Sequence, residues 1–102
     1  MSELTLERVK VNVGVKFKVA GRITTGNEAY FEKTLTRALE EGFSRIVLNM
    51  HEVTLMTSIG IRIILKTYKS CMEAGGRFQI EDPSEVVKNV MGLSALQQMM
   101  VD

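Results

Sequence analysis

The 102-residue sequence predicts an α/β domain, a mixed sheet of about four to five strands with helices packed mainly on one side. Three observations lead there. From Val9 to Val19 the odd positions (Val9, Val11, Val13, Val15, Phe17, Val19) are apolar, while Lys10, Asn12, Lys16 and Lys18 fall between them. This is the period of a sheet with one wet face and one buried face. Downstream, stretches with helical periodicity alternate with short β-branched runs. The length suits one core, and only Pro83 is available to break an element.

Taken in order, Gly14 in NVGV marks a hairpin turn or a bulge, dividing the first run into two antiparallel strands. GRITTGN, Gly21 to Asn27, reads as a loop in which Thr25 or Asn27 caps the next helix. EAYFEKTLTRALEEG sets Phe31, Leu35, Ala38 and Leu39 on one helical stripe, with Gly42 as the stop. RIVLNM, Arg45 to Met50, reads as an interior strand covered on both faces, and HEVTLM as a link. A second helix is expected from about Ser58 to Ala74, ended by Gly75-Gly76. Its core stripe is Ile61, Ile64, Leu65, Tyr68 and Met72, and its wet side carries Arg62, Lys66, Lys69 and Glu73. RFQIED supplies another strand. DPSE then offers Asp82 as N-cap, Pro83 at the first helical position and Glu85 three residues after the cap. Val86, Val87, Val90 and Met91 form the apolar face up to Gly92, and LSALQQMM continues as a short turn or helix carrying Leu93, Leu96 and Met99.

Composition removes several function classes. Thirteen Lys plus Arg balance twelve Asp plus Glu, a net charge of +1, so no overall field favours nucleic acid or a membrane surface. Cys71 has no second cysteine to pair with and reads as a half-buried, unreactive thiol in a reducing compartment. MSELTLERVK places Glu3 and Glu7 where a signal peptide would have its apolar core, so a cytoplasmic protein is expected. His51 is the only histidine, and neither a zinc site nor a Cys-His dyad can be assembled around it. There is no GxxxxGK[ST] or GxGxxG phosphate loop. The expectation is a chain that is not an enzyme and needs no metal or cofactor. The seven methionines form either an adaptable surface or core filler.

The stretch LMTSIGIRIIL, Leu55 to Leu65, stands apart. Thr57 and Ser58 open the second helix, and capping by a hydroxyl is worth about 1 kcal/mol, which explains one of them. Ile59 and Ile63 fall away from the expected core stripe, on a side with Arg62 and Lys66, as a contact patch for another protein would. A hydroxyl in such a patch is suited to switching, because phosphorylation adds roughly −1.5 to −2 charge.

RIVLNM, then VTLMTSIGIRIILKTYKSCMEAGGRFQI, then DPSEVVKNVMGLSAL together resemble the STAS domain, and specifically the small bacterial anti-sigma factor antagonists. The likeness runs through nearly the whole chain, residues 1–102, and includes GRI after the second strand. It implies that Ser58 is the residue phosphorylated by a partner that is both anti-sigma factor and serine kinase, with Thr57 as the alternative acceptor. It further implies that the unphosphorylated protein binds this partner through Thr24, Thr57, Ser58, Ile59, Gly60, Arg62 and Ile63, and that a PP2C-type phosphatase resets the cycle. A monomer or weak dimer is expected. Three residues depart from the family pattern: Thr57 and Thr24 stand where acids are often found, and Ile59 replaces a small residue. The second function class is a scaffold or adaptor of the same fold without phosphorylation, in a signalling or lipid-transport complex. The third, a nucleotide-binding domain using the second helix as an anion site, lacks its phosphate loop.

Overall fold

A computed structural model of the chain describes residues 3–92 and 100–101. In chain order the elements are β1 (Leu4–Val9), β2 (Val15–Ile23), α1 (Glu28–Glu40), β3 (Arg45–Met56), α2 (Ser58–Glu73), β4 (Arg77–Glu81), α3 (Glu85–Met91) and β5 (Met100–Val101). The strands form one sheet in the order β1-β2-β3-β4-β5. β1 is antiparallel to β2, and the three remaining pairings are parallel, joined through α1, α2 and α3. The fold is therefore the mixed α/β sheet that the alternation of strand and helix predicts.

One cluster makes the core. Val15, Phe17 and Val19 of β2 line up beside Ile46, Leu48 and Met50 of β3, and Phe78 and Ile80 of β4 extend the same face. Phe31, Leu35 and Ala38 of α1, Ile63, Ile64 and Cys71 of α2, and Val87 and Met91 of α3 close over it. The other sheet face is polar rather than covered: Lys16 pairs with Glu81 at 2.6 Å, Asn49 Nδ2 donates to the same carboxylate at 2.9 Å, and Lys18 meets Glu52 at 3.2 Å. β3 is thus buried on one face, not on both as its β-branched run suggests. Hydrogen bonds from Lys16 and then Asn49 hold the Glu81 carboxyl below its usual range.

Several element boundaries differ from expectation for identifiable reasons. The hairpin begins earlier, at Leu4, and turns over residues 10–14, so Val11 and Val13 are exposed loop residues despite their odd-numbered place in the alternation. β2 continues through Gly21, Arg22 and Ile23, leaving only residues 24–27 as the loop. HEVTLM is strand, not link. Relative to β2, β3 carries two extra residues as irregularities at its far end, opposite Lys18/Ala20 and Gly21/Arg22. Each extra residue shifts the side-chain phase, so that Met50, Val53 and Met56 are buried three apart instead of two.

α1 and α2 keep close to their predicted extents, and only α2 changes its facing. α1 buries the predicted Phe31, Leu35 and Ala38. α2 is turned by about one residue: it buries Gly60, Ile63, Ile64, Thr67 and Cys71, while Ile61, Leu65 and Tyr68 are only partly covered and Met72 is exposed. Thr67 is acceptable inside because its hydroxyl donates to the Ile63 carbonyl at 2.9 Å. Cys71 is fully buried where a half-buried thiol is expected, and that burial drives its pKa up to about 11. Gly75, at φ +76, ends α2 where the Gly-Gly pair predicts.

At α3 the N-cap is Ser84, whose Oγ accepts from the Val87 N–H at 3.3 Å, and not Asp82. Asp82 sits at φ 49 and Pro83 precedes the cap, so the DPSE motif starts the helix two residues later than it reads. Residues 93–99, the expected turn or helix with Leu93, Leu96 and Met99, lie outside the described residues, and Met100 belongs to β5. No described helix is long and apolar enough to cross a membrane.

Candidate functional site

The mouth of α2 is assembled by β2 and β3 delivering two chain segments to one place. The Thr57 N–H donates to the Ile23 carbonyl at 3.2 Å, which fixes the start of α2 beside the loop after β2. That loop is internally bonded. Asn27 Oδ1 accepts from the Thr24 N–H at 2.9 Å, Asn27 Nδ2 donates to the Arg22 carbonyl at 2.7 Å, and Thr24 Oγ1 accepts from the Gly26 N–H at 3.3 Å. Asn27 occupies the cap position of α1 yet spends its side chain on the loop rather than on the helix. Thr24 is therefore half-buried and held firmly next to the α2 mouth.

The two hydroxyls divide the work. Thr57, in extended conformation, caps α2: its Oγ1 accepts from the Gly60 N–H at 3.4 Å. Ser58 is the first helical residue, exposed, and its hydroxyl makes no hydrogen bond among the described residues. Thr57 alone supplies the side-chain cap at the Gly60 N–H, and Ser58 takes no part in it.

Gly60 is not a surface residue. A Cβ there would lie 2.9 Å from Met56 Cγ and 3.1 Å from Ile23 Cγ2, so glycine allows the first turn of α2 to sit close against β2 and β3. Ile63 is only 5 % exposed and belongs to the core, which corrects its expected place in a partner-contact patch. Ile59 is half-buried against the core with one edge outward. Of the residues expected to meet a partner, the structure brings Thr24, Thr57, Ser58 and Ile59 to the mouth, with Arg62 exposed one turn along α2, and assigns Gly60 and Ile63 to packing.

Sequence reasoning missed two neighbours. Leu55 is 38 % exposed, an outward-facing apolar residue at the end of β3, placed there by the phase shifts in that strand. Arg22, paired in register with Leu55, is exposed and makes no ion pair among the described residues; the same holds for Arg62. The irregular spacing of HEVTLM is the available signal for Leu55, and it is legible only once that segment is known to be strand. No acid lies in the first turn of α2. Glu28, which opens α1, is the acid closest in chain to the loop, and its Oε2 is enclosed without a hydrogen-bond partner. Among the described residues no group of His, Cys, Asp and Glu is placed to hold a metal ion. His51 is exposed and lies 3.4 Å from the Asp82 carboxylate.

Comparison with known proteins agrees with this architecture. The STAS domain family matches residues 6–101. The anti-sigma factor antagonist SpoIIAA in its unphosphorylated form superposes with a TM-score of 0.83 at 21% identity, covering 97% of this chain and 86% of that one. The phosphorylated form of SpoIIAA, a Bacillus cell fate determinant, gives 0.77 at 22%, covering 97% and 89%. An anti-sigma factor antagonist from Mycobacterium paratuberculosis gives 0.82 at 16%, covering 95% and 82%.

Proposed function

The chain belongs to the STAS domain family, and on that footing we propose that it is an anti-sigma factor antagonist switched at Ser58. Unphosphorylated, it binds an anti-sigma factor that is also a serine kinase and so releases a sigma factor. Phosphorylation of Ser58 ends binding, and a PP2C-type phosphatase restores it. The observation that carries this reading is the division of labour at the α2 mouth: Thr57 caps the helix and leaves Ser58 exposed, its hydroxyl without a hydrogen bond among the described residues.

That placement also accounts for the physics of the switch. A dianion at the first position of a helix is tolerated by the helix dipole, so the modified chain keeps its fold. A partner packed against Leu55 and Ile59 would have to strip water from the same phosphate, at a cost that its apolar contacts do not offset. The contact surface is Thr24, Thr57, Ser58, Ile59 and Arg62, with Leu55 added and with Gly60 and Ile63 acting from beneath.

Incubation with ATP and the cognate kinase is expected to add one phosphate, absent in Ser58→Ala. Ser58→Asp is expected to weaken partner binding about tenfold or more. Equal affinity of Ser58→Asp and wild type refutes the switch. A stable complex purified from native cells with Ser58 and Thr57 unmodified would assign the chain to the scaffold class instead.

A further inference from the structure

A second surface lies between the outer edge of β1 and α1. It is a groove of about 380 Å³ lined by Leu6, Arg8 and Phe17 from the two strands and by Tyr30, Lys33, Thr34 and Arg37 from α1. Tyr30, Lys33, Thr34 and Arg37 have helical spacing on α1, a stripe beside the one that enters the core. No acid is among the described residues that line the groove. Arg8 is committed elsewhere, bonded to Glu41 at 2.9 Å and held 5.5 Å from the centres of both the Phe17 and Phe43 rings. Lys33 and Arg37 make no ion pair among the described residues, although Glu32 and Glu40 lie beside them on the neighbouring face of α1, so the groove itself carries two cations with no acid in its lining.

Among the described strands, the strand beside this groove is paired on one side. β1 is at the sheet edge, and β2 is its one neighbour among the described strands. The Arg22 N–H donates to the Glu3 carbonyl at 2.8 Å, and the alternation of an antiparallel pair then turns the backbone groups of Leu6 and Arg8 away from β2. Outward backbone groups at Leu6 and Arg8, apolar side chains and cations without an ion pair among the described residues therefore occur together.

We propose that this groove receives an extended acidic segment of a partner protein, which adds to β1 as a further strand. Its main chain would bond to Leu6 and Arg8, and its alternate side chains would face α1, with carboxylates against Lys33 and Arg37. The charge argues for this occupant over a second copy of the chain. Two β1 edges brought together would set Lys33 and Arg37 of one copy near their duplicates, a repulsion that guards edge strands against self-pairing. This surface is separate from Ser58 and does not depend on its modification.

The test uses the full chain labelled with ¹⁵N and, as probe, an end-capped eight-residue peptide alternating glutamate and valine. Saturable amide shifts are expected at Leu6, Arg8, Lys33 and Arg37. Affinity should fall roughly fivefold or more in Lys33→Glu/Arg37→Glu, and less in Lys33→Gln/Arg37→Gln, with both spectra otherwise preserved. The peptide with lysine in place of glutamate should not bind. The proposal is overturned by shifts confined to other elements, by equal binding of the lysine peptide, by unchanged affinity in both double variants, or by no shift at millimolar peptide. It is equally overturned if sedimentation shows a dimer in which the Leu6 and Arg8 amides are already protected from exchange.

Discussion

The starts of α2 and α3 use the same device to different ends. In each, a hydroxyl at the cap accepts from the N–H three residues on: Thr57 from Gly60 at 3.4 Å, Ser84 from Val87 at 3.3 Å. In α3 the next residue is Glu85, an acid that complements the positive end of the helix. In α2 the next residue is Ser58, and its first turn holds no acid, whereas α1 and α3 each have one. The capping hydroxyl and the exposed hydroxyl are therefore different residues in α2. α3 is completed by its own sequence, while α2 leaves at its first position a place that a phosphate would fill with the charge Glu85 supplies in α3.

The largest effect tests whether the α2 mouth is built on core packing. Ile63→Ala should destabilise the fold by about 2–4 kcal/mol in urea denaturation. If the loss is instead within the range of an exposed substitution, Ile63 faces a partner as its sequence position suggests, and the contrast between the two helix starts fails. A smaller effect separates the hydroxyls: Thr57→Ala and Ser84→Ala should each cost about 1 kcal/mol, while Ser58→Ala should stay within about 0.5 kcal/mol. Equal losses at Thr57 and Ser58 would mean that both are structural.

The smallest effect lies on the α3 side of the contrast, where β4 leads toward that helix. The Glu81 carboxyl is held low by Lys16 and Asn49, so its folded form stays ionised to lower pH than its unfolded form. The stability this confers is present above the ordinary value of 4.5 and is lost as pH falls through the lower folded value. Because the carboxylate is about one-third exposed, water screens the pair and the effect is modest. Glu81→Gln should flatten the acid limb of a stability-against-pH curve while leaving the affinity for a partner at Ser58 unchanged. An acid limb identical to wild type would show that the ion pair does not persist in solution.

Much of the fold is legible in the sequence because its periods are strong. The Val15–Phe17–Val19 alternation, the Phe31–Leu35–Ala38 stripe and the Gly75-Gly76 stop each arise from local geometry and hold in the structure. The differences share a cause. HEVTLM loses strand period because extra residues shift its phase, and such residues have meaning only opposite a partner strand. The α2 stripe lies elsewhere than its periodicity suggests because Thr67 looks polar in sequence and is buried with its hydroxyl returned to the Ile63 carbonyl. Asp82 reads as a better cap than Ser84 until its positive φ is known.

The class of fold and the position of each described helix to within a few residues can be read from the chain alone, since they depend on period and on side-chain chemistry, whereas Ser58 as the residue of interest comes from the family resemblance. Three outcomes needed the folded molecule: which of two adjacent hydroxyls caps α2, that Gly60 and Ile63 support the mouth rather than line it, and that Leu55 turns outward at the end of β3. Those outcomes depend on which backbone group reaches which side chain across β2, β3 and α2. Residues far apart in the chain must meet before that choice exists.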